Sequence, residues 1–511
     1  MSLPGSFFAL RIAAAASSNC FLMSAIRVDY YAMAATPRER ISGVDTAWLR
    51  MEQPTNLMMI VGVMMFEGRL DPEVVRRTIA ARFLTFRRFR QRAVQDAAGA
   101  WWEEPGEFDL AAQVVAEKLP GRGRKRELER LVSELASTPL DPARPLWQFH
   151  VIDNYAGGSA LVLRIHHCYA DGIALIQVML SMTDATAKAS LKAPARKPAA
   201  AKGGGEGDFW TGLLEPIKGL ALEPAAAAQA MQGIAGKGIE IASEVARLVL
   251  MGRDAPTRFK GALGERKAVG WAQSLPLEEV KAIGKALGCS INDVLLSMAA
   301  GALRDYLVAK GDAVEGLEIR AIVPVNLRPP GRGAELGNHF GLVFLDVPIG
   351  MEHPLERLYE VRRRMRELKG SYQPVIALAL LSAVGYGPRA LQEQVTRLLG
   401  ANASAVMTNV PGPQHALYFA GQHISGLEFW VPQSGGIGMG ISILSYDGRI
   451  QFGVITDAGL VPDPARIVRA YGEEFDKLMW LTLMTPWLPA EDGAAEQVPK
   501  AKAIPKRFRN L

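Results

Sequence analysis

The residues best placed to do chemistry are His166-His167-Cys168-Tyr169-Ala170-Asp171-Gly172. A neutral imidazole accepts a proton readily near physiological pH, so a histidine that ends a buried element is a candidate general base. Two adjacent histidines at a strand end cannot face the same space, because strand side chains alternate. His167 shares a face with Leu161, Leu163 and Ile165, and His166 shares the other with Val162 and Arg164. One ring is therefore free for catalysis and the other for structure. Asp171 and Gly172 fall in the turn that leaves the strand. Asp can hydrogen-bond back there or pair with a buried cation, and Gly permits a tight backbone. Arg164 and Arg328 are the two candidate cations. A histidine pair that is merely packed is the competing reading. No metal is implied: the two rings point apart, and Cys20, Cys168 and Cys289 form no CxxC.

The loop must be carried by Ala160–Ile165, a short apolar run that fits a strand buried on both faces. A strand over Gln148–Ile152 and a turn at Gly157-Gly158 complete a hairpin with it. Ahead of the hairpin, Pro139-Leu140-Asp141-Pro142-Ala143-Arg144-Pro145-Leu146-Trp147 reads as a rigid, packed corner. Leu57–Phe66 is a further strand, Asp71 caps a helix to about Leu84, and 127–136 has helical spacing. Later elements are a helix over 276–287 stopped by Gly288, and a long helix to about Val308. Ser290 and Asp293 have capping-box spacing at its start. Strands are expected over 317–323 and 403–409, a hairpin over 441–456, and a last helix over 462–483. The helix over 353–369 has a basic side (Arg357, Arg362, Arg363, Arg364, Arg366), read as solvated with a phosphate contact as the alternative. Residues 375–384 are apolar but too few to span a bilayer.

The chain has 511 residues, 49% of them hydrophobic and 22% charged. That is globular and long enough for two domains. Three scattered cysteines argue against a disulfide framework and for a reducing compartment. A net charge of +6 suits an anionic membrane surface or a polyanionic substrate. Nucleic acid is disfavoured, because basic and aromatic residues are not interleaved. Residues 1–32 read as lying upstream of the natural start, with Met33 as the alternative first residue and a membrane-touching segment as runner-up. Residues 186–206 read as a flexible linker and 207–255 as a helical crossover.

PLD…RPLW followed by HHxxxDG resembles the bacterial wax ester synthase/acyl-CoA:diacylglycerol acyltransferase family, which has the chloramphenicol-acetyltransferase-like fold. Pro145, Leu146 and Trp147 match its PLW motif, and Asn292-Asp293 its ND motif. The segments with Asn338 (Leu336–Gly341), Pro324–Arg328 and Thr408–Pro413 also match. The resemblance covers about 37–485. It implies an α/β (α+β) fold of two such domains with a tunnel between them. The expected boundaries are 1–36 poorly defined, 37–185 with HHxxxDG, 186–265 linker and crossover, 266–485 the second domain, and 486–511 a basic tail. It implies transfer of a long-chain acyl group from acyl-CoA to diacylglycerol or a long-chain alcohol. His167 is then the general base, with His166, Asp171 and Gly172 completing the motif, and no acyl-enzyme forms. Asn292, with Asp293 beside it, is the expected oxyanion donor. Acyl-CoA enters as a substrate and no cofactor is permanently bound. Expected partners are the lipid acceptor and a membrane or lipid-droplet surface, with a homodimer compatible. The expected place is the cytoplasm, on the inner face of the membrane or on lipid inclusions, with Trp480, Trp487 and the basic tail as contacts. The alternatives are a condensation domain acting on carrier-bound groups and a non-catalytic lipid-binding homologue.

Overall fold

Two long apolar runs pair as the centre of a sheet, and the first half of the chain is arranged around them. The computed structural model describes residues 38–106, 108–188, 251–327, 336–368, 371 and 373–484. The readings for 1–32, for the linker and crossover over 189–250, for Arg328, and for Trp487 and the basic tail lie outside the described residues. The first half supplies β1 (Glu39–Arg40), α1 (Gly43–Met51), β2 (Met59–Phe66), α2 (Pro72–Arg82), β3 (Arg92–Asp96), β4 (Gly99–Glu103), α3 (Leu110–Gln113), β5 (Val114–Glu117), α4 (Lys125–Ala136), β6 (Trp147–Tyr155), β7 (Gly158–His166) and α5 (Gly172–Met182). The second half supplies β8 (Lys267–Trp271), β9 (Leu275–Pro276), α6 (Leu277–Leu287), α7 (Ile291–Ala309), β10 (Ile319–Asn326), β11 (Phe340–Val347), α8 (Pro354–Leu368), α9 (Gln373–Tyr386), α10 (Arg389–Ala401), β12 (Ala405–Pro411), β13 (Tyr418–Phe419), β14 (Gln422–Trp430), β15 (Met439–Tyr446), β16 (Arg449–Asp457) and α11 (Pro464–Leu483).

Beside a small sheet β1-β4-β3, two large sheets run β13-β14-β2-β7-β6-β5 and β11-β10-β12-β15-β16-β8, with β9 on β16. Both are mixed: β5–β6, β10–β12 and β12–β15 pair in parallel and the rest antiparallel. The halves do not keep their sheets apart. β14, from the second half, pairs antiparallel along β2 of the first, from Ile424↔Phe66 to Trp430↔Val61. β7 is buried along its whole length, as a strand covered on both faces must be. Its Leu161, Leu163 and Ile165 join a core shared with Trp48, Phe340 and Phe344. Its Ala160 and Val162 face Leu128 and Val132 of α4, with Trp271 and Trp430.

The local chemistry explains the helix ends. Asp71 accepts from Glu73 N ahead of Pro72. Gly288 stops α6 in the left-handed region at φ 65°. Ser290 and Asp293 form the reciprocal capping box at the start of α7, with Asp293 N on Ser290 Oγ at 3.2 Å and Ser290 N on Asp293 Oδ2 at 2.9 Å. Several boundaries differ from those expected. The hairpin strand expected over 148–152 extends to Trp147–Tyr155, and the strand expected from 317 runs Ile319–Asn326. Residues 251–265, expected to end the helical crossover, contain no helix. Asp254 there accepts from Arg320 N at 2.9 Å and Ser404 Oγ at 2.6 Å, which holds the backbone extended ahead of Pro256.

The basic side of α8 is not an open cationic face. Arg363 and Arg364 are bound to Glu360, Glu367 and Glu318 on the surface. Arg357 is buried and pairs with the buried Glu474 of α11. Its other donors reach Met351 O at 2.8 Å and Ser297 O at 3.2 Å, so one guanidinium ties α7, α8 and α11 together. Removing one partner of such a pair strands the other charge. Arg357→Met is therefore expected to cost about 3–5 kcal/mol in urea denaturation, and adding Glu474→Leu should recover most of the loss.

Candidate active site

The histidine loop is held first by its own half of the chain. His166 N donates to Leu146 O at 2.9 Å, and His167 N to Met58 O at 2.7 Å. Tyr169 points back under the loop: its hydroxyl donates to Gln91 O at 2.6 Å and accepts from Leu146 N at 3.0 Å. Trp147 Nε1 donates to Phe89 O at 2.7 Å, and Pro145 O accepts from Gln113 Nε2 at 2.9 Å. Pro145-Leu146-Trp147 is thus a packed corner whose carbonyl sets the position of the first histidine.

The two rings do face apart. His167 stacks on Trp48 of α1, with centroids 4.2 Å apart and planes 19° apart, and leans on Phe340 of β11 at 5.7 Å. Only 5% of His167 is exposed, and its Nδ1 is buried without a hydrogen-bond partner. Burial pushes its pKa down to about 4, against the smaller opposing pull of the Asp171 charge. The ring is neutral at pH 7, and its Nδ1 is shut away from solvent.

His166 faces the other way. Its Nδ1 accepts from Cys168 N at 3.1 Å, so its ring proton sits on Nε2. That nitrogen lies 3.1 Å from Glu52 Oε2, an ion-pair distance rather than an aligned hydrogen bond. Burial raises the Glu52 carboxyl, but His166 and the Met58 amide outweigh it and hold the carboxyl below its usual range.

A second hand on the loop comes from the other half of the chain. Gly337, at φ +109°, takes a backbone that only glycine adopts freely. Its carbonyl accepts from Asp171 N at 3.3 Å. Asn338 Nδ2 then donates to both His167 O and Asp45 Oδ1, each at 2.8 Å. His339 N donates to Asp171 Oδ2 at 2.9 Å, while Asp171 Oδ1 caps α5 through Ala174 N at 2.9 Å. Asp171 therefore orders the loop, as its place in the turn suggested. Arg164 is not its partner: that side chain lies on the opposite face and donates to Leu135 O and Thr138 O. Burial raises the pKa of Asp45, with Asn338 pulling the other way.

Gly172 does not make a tight turn. Its φ is not positive and a Cβ there would meet nothing within 4 Å, so it leaves open space at the first turn of α5. Asn292 is not brought to His167 by any described contact. Its amide oxygen accepts from Asn409 Nδ2, which joins the 292–293 and 408–413 segments. Asp293 is consumed by the capping box. Trp48, Asp45 and Glu52 were not anticipated as site residues. The signal for α1 is the Ser42-x-x-Asp45 spacing ahead of Trp48, and Ser42 Oγ does accept from Asp45 N at 3.1 Å. Among the described residues no three His, Cys, Asp or Glu side chains converge as metal ligands.

Two interlocked mixed sheets, with a neutral histidine buried where they meet, define an acyltransferase of the chloramphenicol-acetyltransferase-like class. Residues 41–295 match the wax ester synthase/diacylglycerol acyltransferase catalytic domain, and residues 336–479 the WS/DGAT C-terminal domain. A Mycobacterium tuberculosis protein described as a diacylglycerol O-acyltransferase is 30% identical over 377 residues, 72% of this chain and 81% of that one. Another from the same organism, tgs1, is 26% identical over 452 residues, 86% of this chain and 95% of that one. The solved wax ester synthase/diacylglycerol acyltransferase of Marinobacter aquaeolei VT8 superposes with a TM-score of 0.62 at 21% identity, covering 87% of this chain and all of that one. A starter condensation domain of rhizomide synthetase, solved with C8-CoA, gives 0.53 at 12% identity, over 87% and 95% of the two chains. The chain belongs to the wax ester synthase/diacylglycerol acyltransferase family.

Two measurements test this geometry. The acid limb of kcat/KM should fall near pH 4 and not near 6.5, because the base is lost only when the buried ring protonates. The unfolded ring binds its proton first as pH falls, so the folded state should also lose up to ~3 kcal/mol between pH 6.5 and 4, a component absent in His167→Gln. Asn338→Ala leaves the His167 carbonyl and the Asp45 carboxyl without their shared donor. It should cost about 2–4 kcal/mol in denaturant unfolding and lower kcat more than it raises KM.

Proposed function

We propose that this acyltransferase moves a long-chain fatty acyl group from acyl-CoA to the hydroxyl of diacylglycerol or of a long-chain alcohol. The observation that carries the reading is the His167 ring, neutral and stacked on Trp48 beside an apolar core shared by both halves. A free hydroxyl is a weak nucleophile at neutral pH, and a lipid hydroxyl must be activated where water is scarce. The hydroxyl oxygen attacks the thioester carbonyl carbon as its proton passes to His167 Nε2. The tetrahedral intermediate then expels the CoA thiolate, which takes that proton back from the imidazolium. No bond to the protein forms. The transient imidazolium is stabilised by the Asp171 charge, the main influence on the ring that favours protonation.

The family membership and the names of the mycobacterial relatives support diacylglycerol as the acceptor. The Marinobacter structure supports the long-chain alcohol as well. Lipid substrates and a net charge of +6 support a working place at the cytoplasmic face of a membrane or on lipid inclusions. The test is CoA release with palmitoyl-CoA and either diolein or hexadecanol. Wild type should turn over at least one acceptor, and His167→Ala should lose ~10²–10⁴-fold in kcat. Wild-type CoA release with neither acceptor, in a folded chain that binds CoA, would move the reading to carrier-bound donors.

A further inference from the structure

α9 breaks the usual rule for a surface helix. Such helices carry an apolar stripe inward and polar residues outward. Between Pro374 and Tyr386 this one has a single hydroxyl, Ser382, and no charge. Its inner positions Ala377, Leu378, Leu381 and Val384 are buried. Its outer side still presents Leu380, 45% exposed, and Tyr386, 49% exposed. With 14 residues it is too short to cross a bilayer. It also bears directly on the site. α9 packs on β11, which carries Phe340, and crosses α1, which carries Trp48, so closely that a Cβ on Gly385 would run into the Gly43 carbonyl.

The C-terminal end of α9 is ringed by cations. The Arg40 guanidinium lies 5.7 Å over the Tyr386 ring. Arg50 donates to the carbonyls of Gly385 and Gly387 at 3.2 and 3.1 Å. Arg389 opens α10 with its side chain 75% exposed and Glu393 as its ion-pair partner at 3.2 Å. Beside this collar a cavity of about 420 Å³ is lined by Arg50, Arg389, Leu49, Leu57, Pro139 and Glu52, the residue that contacts His166.

We propose that the outer face of α9 and the Arg40–Arg50–Arg389 collar seat the protein on an anionic lipid surface, with the cavity mouth turned toward it. The apolar face enters the headgroup region and the guanidiniums meet lipid phosphates. This rests on the reading of the acceptor as a lipid, and it gives that acceptor a place of entry next to the helix that positions Trp48.

The test is flotation of the full chain with phosphatidylcholine vesicles, with and without phosphatidylglycerol. Wild type should float better with the anionic vesicles. Leu380→Glu should weaken binding about tenfold, from lost apolar burial and a charge of the wrong sign. Arg389→Ala should weaken it about fivefold. Trp480→Glu, at the exposed end of α11, should bind as wild type. Leu380→Glu should melt as wild type and turn over a short-chain diacylglycerol in solution at the wild-type rate, while losing turnover of vesicle-borne diolein. Leu380→Glu floating like wild type, binding indifferent to phosphatidylglycerol, or loss of flotation through Trp480→Glu alone would each overturn the proposal. So would conversion of a dimer to a monomer by Leu380→Glu, which would show a second copy covering α9. If wild type floats as described but turns over no acceptor, the surface stands and the acyl-transfer reading falls.

Discussion

One amide group, that of Asn338, holds the histidine loop and the two halves of the chain in register. It donates to the backbone of His167 from the first half and to Asp45 at the start of α1. Asp45 sits one turn before Trp48, the residue stacked on the His167 ring. The same segment, just ahead of β11, fixes Asp171 through Gly337 O and His339 N. His167, the aromatic plate above it and the carboxylate that orders its loop are therefore tied to three consecutive residues of a distant segment. A buried polar group that is half satisfied would be costly, so this arrangement has few alternatives once formed.

The site trades basicity for dryness. Enclosure by Trp48 and Phe340 lowers the affinity of His167 for a proton far more than Asp171 restores it. In return the ring stays neutral, with a free lone pair, at any pH well above 4. Glu52 and His166 complete the balance on the other face. Glu52 lies beside His166 Nε2 and accepts from the Met58 amide, whose own carbonyl holds His167 N.

Much of this was legible in the sequence. The alternation rule placed the two histidines on opposite faces and put His167 with Leu163 and Ile165, because the strand is buried on both sides and cannot slip by one residue. Caps at Asp71, Gly288 and Ser290 were readable because they depend on one or two local groups. What escaped was long-range. The role of Asn338 depends on residues 171 and 293 positions away, and no local pattern encodes such a pairing. The same holds for Glu52 opposite His166 and for Arg357, which is inside the core while Arg363 and Arg366 of the same run are exposed as read. β14 was invisible for a related reason: its Gly426 and Glu428 dilute the alternation, and its partner lies in the other half.

That strand has a consequence for how the molecule is made. Ser425 reaches Met65 O across 360 residues of chain. At ~5–20 residues per second of synthesis, the edge of β2 waits roughly 20–70 s for its partner to leave the ribosome. During that interval an apolar strand with unpaired amides is open to any other chain. The closing step is also a loop closure of high contact order, slow even after synthesis ends. The yield of this protein in a cell should therefore be governed by what shields the nascent β2 edge, a demand on the folding machinery that the finished structure no longer displays.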